Sequence, residues 1–235
     1  MKWLDAETPR PALIVRPRDA VSLDEAHLAI ELWEFYSGKT LDESQRVAVE
    51  LMMAETSAGR WAARITGRAM PRQNGKGDEI EVVEFYGLTQ RDEAILHTAH
   101  EIPTAKSAHS RMVGLLDHAD FRARCDPKFG NGNFEINLPR RAGGHVDRGD
   151  PGGIVVYRTR TAGGGRGLDD ISRLVVDEAQ HAQPEQLASA SPTLSANPNP
   201  QRNFIGTGGI EGRSDWWWQL RRQAIDGDDD GFAWL

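Results

Sequence analysis

The stretch RAMPRQNGKGDEIEVVEF, residues 68–85, decides how the rest of the sequence is interpreted. It completes the strand-like run WAARITGRA and leads through a short basic loop into a segment that is typical of a helix. Such a loop can bind phosphate, because backbone N–H groups and the helix dipole converge on an anion at the helix N-terminus. In this loop Gly75 permits close backbone approach, and Lys76 supplies a positive charge.

The loop departs from the common phosphate-loop pattern at two positions. The early glycine, five residues before Gly75, is replaced by Met70. The Ser or Thr that places a hydroxyl on magnesium is replaced by Gly77. A Gly-Lys-Gly turn between a strand and a helix is, taken singly, more often only a turn. The loop therefore indicates a nucleotide site only if other parts of the chain support it.

Composition limits the classes of protein to which the chain can belong. The 235 residues carry a formal charge of -7, and no apolar run is long enough to cross a bilayer. We expect one soluble domain without an export signal, since acids and prolines interrupt residues 1–19. The single cysteine, Cys125, excludes an internal disulfide framework and a thiolate-rich metal site, so a reducing cytoplasm fits.

One basic segment, residues 139–166, interrupts this acidic chain. Its acids are Asp147 and Asp150, and they are outnumbered by Arg140, Arg141, Arg148, Arg158, Arg160 and Arg166. A solvated loop and a surface that grips DNA phosphates without reading bases both fit this composition. The sequence leaves that choice open.

Two helices are expected ahead of the phosphate loop. Ser22 with Glu25, and Thr40 with Glu43, form capping-box patterns that precede apolar residues at helical spacing. We therefore predict a helical N-terminal segment over residues 1–58 and a core over residues 59–235.

From Arg60 onward, short apolar runs alternate with helical patterns, as is typical of β-α units that form a parallel sheet. The expected strands are WAARITGRA, AILHTAH, NFEINLP, GGIVVYRT, SRLVVDEA and RNFIGTGG. The expected helices are GDEIEVVEFYG, PTAKSAHSRMVGLLDH, QPEQLASAS and SDWWWQLRRQAI. Parallel strands bind ligands at their carboxyl ends, so the chemistry is sought in the loops that follow them.

The strand SRLVVDEA delivers two carboxylates, Asp177 and Glu178, to such an end. Adjacent carboxylates after a buried strand are costly unless they have a role. Asp177 can hold magnesium, directly or through water, and Glu178 can accept the proton of an attacking water. A surface pair that caps the next helix is the less favoured alternative. After the last expected strand, Thr207 stands between two glycines, where a hydroxyl can register the γ phosphate.

These three elements, in this order and spacing, resemble the ATPase domain of the large terminase subunit of tailed bacteriophages. The resemblance extends from about residue 41 to about residue 218. PRQNGKG resembles the family's variant phosphate loop, in which a basic residue stands early, as Arg72 does here. LVVDEAQ is similar to the Walker B strand with its catalytic glutamate, and GTGG is similar to the coupling element.

The resemblance implies a role for each matching residue. Asp177 would be the magnesium ligand, Thr207 the coupling residue, and Glu178 and Arg166 the catalytic residues. Gln45 would contact the adenine, and the triphosphate would be bound by Arg72, Gln73, Asn74, Gly75, Lys76 and Gly77.

The fold implied is a P-loop NTPase of the ASCE type, an α/β fold with a mainly parallel central sheet, helices on its faces and a helical N-terminal segment. The implied activity is ATP hydrolysis with Mg²⁺, which drives double-stranded viral DNA, without sequence preference, into a procapsid. The implied partners are further copies of the chain in a ring, the portal protein and the small terminase subunit, with no membrane. The implied location is the host cytoplasm, docked on the procapsid.

The family's large subunits usually continue into a nuclease domain, which we expect to be absent here. The acids at residues 228–230 are expected to be a solvated linker and not a two-metal nuclease site. Two alternatives stay open. One is another P-loop DNA translocase or helicase, and the other is a non-catalytic assembly or DNA-binding module that keeps the fold.

The run Trp216 to Trp218 is the last unusual feature of the sequence. On a helix, three consecutive rings point in three directions, so at least one must face the core or a partner. We expect packing against the sheet, and an interface with a further domain or the portal is the alternative.

Overall fold

The computed structural model describes residues 13–71, 75–130, 133–139, 141–142, 145–146, 152–160, 171–188, 191–209, 211–227 and 231–235. The helices are α1 (Asp24–Ser37), α2 (Glu43–Met53), α3 (Lys76–Gln90), α4 (Ile102–Leu116), α5 (Ala119–Arg122), α6 (Pro184–Ala188), α7 (Ser191–Ala196) and α8 (Asp215–Asp226). The strands are β1 (Ile65–Ala69), β2 (Ala94–Ala99), β3 (Asp126–Phe129), β4 (Asn133–Leu138), β5 (Arg141–Ala142), β6 (His145–Val146), β7 (Gly153–Thr159), β8 (Arg173–Asp177), β9 (Gln201–Gly206) and β10 (Phe232–Trp234). A short 3-10 helix, Ala179–His181, follows β8.

Eight of these strands form one sheet in the order β10-β1-β9-β8-β2-β7-β4-β3. From β10 to β7 every neighbouring pair is parallel, whereas β4 and β3 are added in antiparallel orientation. The predicted mainly parallel sheet flanked by helices is therefore confirmed. Because β1, β9, β8, β2 and β7 run in one direction, the loops that follow them lie along the same edge of the sheet.

Both faces of the sheet are covered, and the alternation of side chains along the strands shows how. In β2, Ile95 belongs to the core formed with α1 to α4, while its neighbour Leu96 belongs to the core formed with α8. Val155 and Val156 of β7 divide between the two cores in the same way. A parallel sheet buried on both faces requires the continuous apolar runs that the sequence contains.

The two capping boxes expected from the sequence are wrong at the starts of α1 and α2. The N-cap residue of α1 is Leu23, whose side chain has no polar atom, and the Ser22 Oγ accepts from the Asp24 N–H over 3.1 Å without a reciprocal bond from Glu25. The box at α2 is formed by Asp42 and Gln45, and not by Thr40 and Glu43. Asp42 Oδ1 accepts from the Gln45 backbone N–H over 2.9 Å, and Gln45 Oε1 accepts from the Asp42 N–H over 2.8 Å. α1 is followed by Gly38, a left-handed residue with φ 68° that caps the end of the helix.

The tryptophan run behaves as its helical position requires. Trp217 is buried, with its ring 4.7 Å from that of Trp234 on β10. Trp218 is 40% exposed. The expectation that at least one ring packs on the sheet is therefore confirmed.

Candidate nucleotide site

The phosphate-loop candidate turns from β1 into α3 as the sequence predicts. Gly75 is the N-cap residue of α3 and has φ 76°, a left-handed conformation that favours glycine. The first N–H groups of a helix have no intrahelical partner, so they can donate to an anion. Arg72, Gln73 and Asn74 lie outside the described residues, as do Arg166, the acids at 228–230 and parts of the basic segment.

Lys76 and Asp177 meet across the gap between this loop and the end of β8. Lys76 Nζ donates to Asp177 Oδ1 over 3.1 Å. The two side chains are 20% and 13% exposed, so solvent and small ions reach them. The loop after β1 and the carboxylates after β8 thus share one edge of the sheet, separated only by β9.

Glu178, the residue after β8, has a left-handed backbone with φ 52° and ψ 47°. For a residue with a side chain this conformation costs about 1–3 kcal/mol, and it persists only where surrounding contacts impose it. The Glu178 N–H donates to Asp177 Oδ1 over 2.7 Å. The same oxygen accepts from Lys76 Nζ, so it joins the turn after β8 to the start of α3. The turn is therefore held in a strained shape at the sheet edge where ligands bind.

Arg160, just after β7, supplies much of that restraint. Its guanidinium donates to three backbone oxygens at neighbouring strand ends: Thr98 at 3.2 Å, Asp177 at 2.5 Å and Glu178 at 3.1 Å. The residue is only 8% exposed. Burial lowers the pKa of Arg160 to about 10, while the carboxylates of Asp177 and Glu178 oppose that shift.

Arg160 is a site residue that the sequence reasoning missed. The basic segment was interpreted as a solvated loop or a surface for DNA, and neither interpretation fits a buried arginine. Its position directly after the apolar run GGIVVYRT was the available signal, because residues that follow buried parallel strands lie at the ligand edge.

Gln45, the expected adenine-side residue, lies against the phosphate loop. Its Nε2 donates to the Gly75 carbonyl oxygen over 3.1 Å, while its Oε1 belongs to the capping box of α2. A Cβ at Gly75 would lie 2.3 Å from that Nε2, so only glycine permits this approach. The N-terminus of α2 is thereby joined to the N-terminus of α3.

Thr207, the expected coupling residue, is connected to the turn after β8 through Gln180. The Thr207 N–H donates to Gln180 Oε1 over 3.0 Å, and Ser214 Oγ donates to the Gln180 carbonyl over 2.7 Å. Gln180 is buried two residues after Glu178. Gln180 thus joins the ends of β8 and β9. The sequence pattern LVVDEAQ includes this glutamine but does not indicate its role.

The oxygen donors at this edge fit a magnesium ion that arrives with a nucleotide. Mg²⁺ prefers oxygen ligands, keeps several waters and is commonly bound by one or two carboxylates together with phosphates. Asp177 and Glu178 offer carboxylates, whereas Gly77 offers no side-chain oxygen. Within the part of the chain that the structure describes, no cluster of three or more His, Cys, Asp or Glu side chains is arranged to hold a metal.

This arrangement defines the class of fold. A helix starts at Gly75-Lys76 after β1, and β9 lies between β1 and the carboxylate-bearing β8. The chain therefore has a P-loop NTPase fold of the ASCE type. More particularly, the chain shares its fold with the ATPase domains of bacteriophage large terminases. The HK97 large terminase aligns with a TM-score of 0.66 at 15% identity, over 88% of this chain and 42% of that one.

Two further solved structures show the same likeness. The ATPase domain of the Thermus phage P74-26 large terminase aligns with a TM-score of 0.57 at 16% identity, over 80% of this chain and 71% of that one. The large terminase of a thermophilic bacteriophage, solved in complex with ADP, aligns with a TM-score of 0.50 at 10% identity, over 90% of this chain and 44% of that one. The chain therefore spans less than half of the HK97 protein and less than half of the ADP-bound terminase.

Comparison at the level of sequence adds no relative. No protein-family model matches the chain, and no curated protein matches it. None of the helices among the described residues combines the length and apolar character needed to cross a membrane.

Proposed function

We propose that the chain is the ATPase motor domain of a phage large terminase. It would hydrolyse ATP with Mg²⁺ and use the free energy to move double-stranded viral DNA into a procapsid. One observation carries the proposal: Lys76 and Asp177 form a 3.1 Å ion pair between the phosphate-loop candidate and the end of β8. The terminase-like fold supports it, because such a gap is where a P-loop NTPase binds its triphosphate.

In the proposed complex, the first N–H groups of α3 donate to the phosphates and Lys76 exchanges Asp177 for the β and γ phosphates. Arg72, Gln73 and Asn74 would complete the loop, and Gln45 would lie on the adenine side. Asp177, released from Lys76, would hold the Mg²⁺ ion. When bound, that ion neutralises charge on the phosphate oxygens.

Hydrolysis needs a base and fixed geometry. Glu178 would accept a proton from a water molecule as the water oxygen bonds to the γ phosphorus. The bond from that phosphorus to the β–γ bridging oxygen breaks, and ADP and phosphate leave. Arg160 would keep the Glu178 backbone in its left-handed turn while this happens. Arg166, from a neighbouring copy, would stabilise charge on the transferring group, and Thr207 would signal loss of the γ phosphate.

Work on DNA would require assembly. We assign residues 1–58 to a helical segment with the adenine-side glutamine and residues 59–235 to the ATPase core. A ring of copies, docked by the portal protein on the procapsid in the host cytoplasm and supplied with DNA by the small terminase subunit, would translocate the duplex. Contacts from the basic segment to DNA phosphates would be independent of sequence and sensitive to salt.

Steady-state ATP hydrolysis in Mg²⁺, with and without duplex DNA, tests the proposal. Glu178→Gln should lower turnover about 100-fold or more, since a positioned general base contributes roughly 10² to 10⁴. Lys76→Ala removes the charge proposed to bind the β and γ phosphates and should also lower turnover strongly. The matched controls Lys106→Ala and Glu31→Gln change exposed residues of the same types away from the ends of the parallel strands and should leave turnover unchanged.

The outcomes separate the alternatives. Unchanged rates in both site variants would refute the proposed site. Stimulation by single-stranded DNA in preference to duplex would favour a helicase. Binding of ATP without turnover, even at high protein concentration where copies assemble, would favour a non-catalytic module. High concentration matters, because an arginine from a neighbour contributes roughly 10³ to 10⁵ to such rates.

A further inference from the structure

Gly77 stands where the common phosphate loop has Ser or Thr, and its neighbour in space is Arg111 of α4. A Cβ built on Gly77 would lie 3.2 Å from Arg111 Nη2 and 3.7 Å from Arg111 Cζ. A Ser or Thr side chain at this position would therefore press against the guanidinium. Because residue 77 has no side chain, there is room for the guanidinium of Arg111 beside it.

The guanidinium of Arg111 is held in this place by its other nitrogen atoms. Nε donates to Glu81 Oε2 over 3.2 Å, and Nη1 donates to Ser107 Oγ over 3.1 Å. Glu81 is itself fixed, because its Oε1 accepts from Trp33 Nε1 over 3.1 Å. Nη2 is the group directed at Gly77, and the side chain is 42% exposed, so a ligand in solution can reach it.

The charged groups around Gly77 are compatible with a bound anion. Asp78, the next residue, is engaged by Lys39, with Nζ 2.8 Å from Oδ1. Gly77 is the second residue of α3, so its N–H lies among the helix N-terminal donors that favour negative charge. A guanidinium adjacent to these donors adds a full positive charge with hydrogen-bond donors suited to phosphate oxygens.

We propose that Arg111 is a further nucleotide-binding residue, which supplies a fixed positive charge to the terminal phosphates where the common loop supplies a hydroxyl ligand to magnesium. This inference rests on the proposed function, since it needs a triphosphate in the loop. It has a consequence of its own: binding of the nucleotide depends less on a divalent cation than in a loop with Ser or Thr.

Equilibrium binding of the non-hydrolysable analogue AMP-PNP, measured by calorimetry in excess Mg²⁺ and in EDTA, tests the inference. Wild type should keep its affinity in EDTA to within about tenfold. Arg111→Gln should lose about 10- to 100-fold in EDTA, the size of one lost charge-assisted hydrogen bond, and less in Mg²⁺. The control is Arg122→Gln, which changes an arginine that is 71% exposed and paired with Asp117, and it should match wild type.

Gly77→Ser gives a second route to the same answer. It keeps Arg111 but displaces the guanidinium, so binding in EDTA should fall while binding in Mg²⁺ is largely retained. The double variant Gly77→Ser with Arg111→Gln should bind only in Mg²⁺. Both single variants binding like Arg122→Gln under both conditions would overturn the inference alone. Failure of wild type to bind AMP-PNP in both Mg²⁺ and EDTA would instead overturn the proposed function.

Discussion

Strand β8 has buried charge near both of its ends, and the two ends are organised differently. At the amino end, Arg173 forms a double hydrogen bond with Glu93, with Nε to Oε2 at 2.7 Å and Nη2 to Oε1 at 3.2 Å. The amide oxygens of Gln201 and Asn203 accept from Nη1 of the same arginine. At the carboxyl end, the carboxylate of Asp177 forms its ion pair with the partly exposed Lys76, and the buried guanidinium of Arg160 lies nearby on the backbone oxygen of Asp177.

The difference distinguishes an ion pair that stabilises the fold, at Arg173, from an ion pair at the candidate nucleotide site, at Asp177. The partners of Arg173 are side chains fixed inside the protein, so its charge is compensated without any ligand. The partner of Asp177 is a flexible lysine at a helix N-terminus, which can exchange the carboxylate for a phosphate. The end that we propose as the site has a replaceable partner beside a strained turn at Glu178, and buried charge alone does not distinguish it.

The largest effect on stability is expected at the amino end. Arg173→Met leaves Glu93 buried without its ionic partner, so it should lower the free energy of unfolding by about 3–5 kcal/mol. Asp177→Asn keeps an acceptor for Lys76 Nζ and for the Glu178 N–H, so it should cost less, about 1–2 kcal/mol. Urea unfolding of both variants measures the contrast. Equal costs would show that the two ends of β8 do not differ in the way described.

A smaller effect, on turnover alone, is expected at Arg160. Arg160→Gln cannot reach all three carbonyl oxygens, so the turn at Glu178 should relax and kcat should fall roughly 10- to 100-fold, as for other residues that orient a catalytic group. KM should change little, because the phosphate loop is untouched. Arg160→Lys keeps the charge and should recover part of kcat. A change confined to KM, or to the melting temperature, would indicate a purely structural role.

A further effect, which depends on pH, concerns the buried pair of Arg68 on β1 with Glu79 on α3. Burial raises the pKa of Glu79 to about 7 from its ordinary 4.5, with Arg68 opposing the shift. The folded state therefore holds a proton that the unfolded state has released. The stability that this proton contributes is fully present below pH 4.5 and is lost as the pH rises through 7.

Urea unfolding of wild type and Glu79→Gln from pH 5 to pH 8 measures this contribution. The free energy of unfolding of wild type relative to the variant should fall as the pH rises, by about 1.4 kcal/mol per pH unit at most. A difference that stays constant over this range would show that Glu79 is ionised throughout, as a pair dominated by Arg68 would be.

The sequence allowed most of the fold to be predicted, because buried parallel strands need continuous apolar runs. Each of the six expected strands is present. The four missed strands lack that signal: β3, Asp126–Phe129, is a mostly exposed edge strand, β5 and β6 have two residues each, and β10, Phe232–Trp234, has only three. The start of α2 was misjudged by two residues because two capping patterns overlap there. Burial of Leu41, whose N–H donates to Glu34, accompanies the box at Asp42.

Asp177 was indicated by its place at the end of a buried apolar strand, and Lys76 by its place at the start of the helix after a glycine loop. The structure brings these two side chains together, while their roles toward a nucleotide stay predictions. Arg160 also follows an apolar run, but that position does not show that its guanidinium reaches backbone oxygens of neighbouring strands. Gln180 gives no such signal, since its partner is the Thr207 N–H at the end of another strand. Arg111 likewise approaches Gly77 from another helix, and its sequence neighbourhood gives no sign of that approach.

The most direct measurement is a crystal structure of the chain with Mg²⁺ and a non-hydrolysable ATP analogue. We expect the triphosphate to lie against the N–H groups of Gly75 to Gly77, with Lys76 Nζ moved from Asp177 to a phosphate oxygen. A nucleotide bound elsewhere, with the ion pair between Lys76 and Asp177 intact, would contradict this expectation.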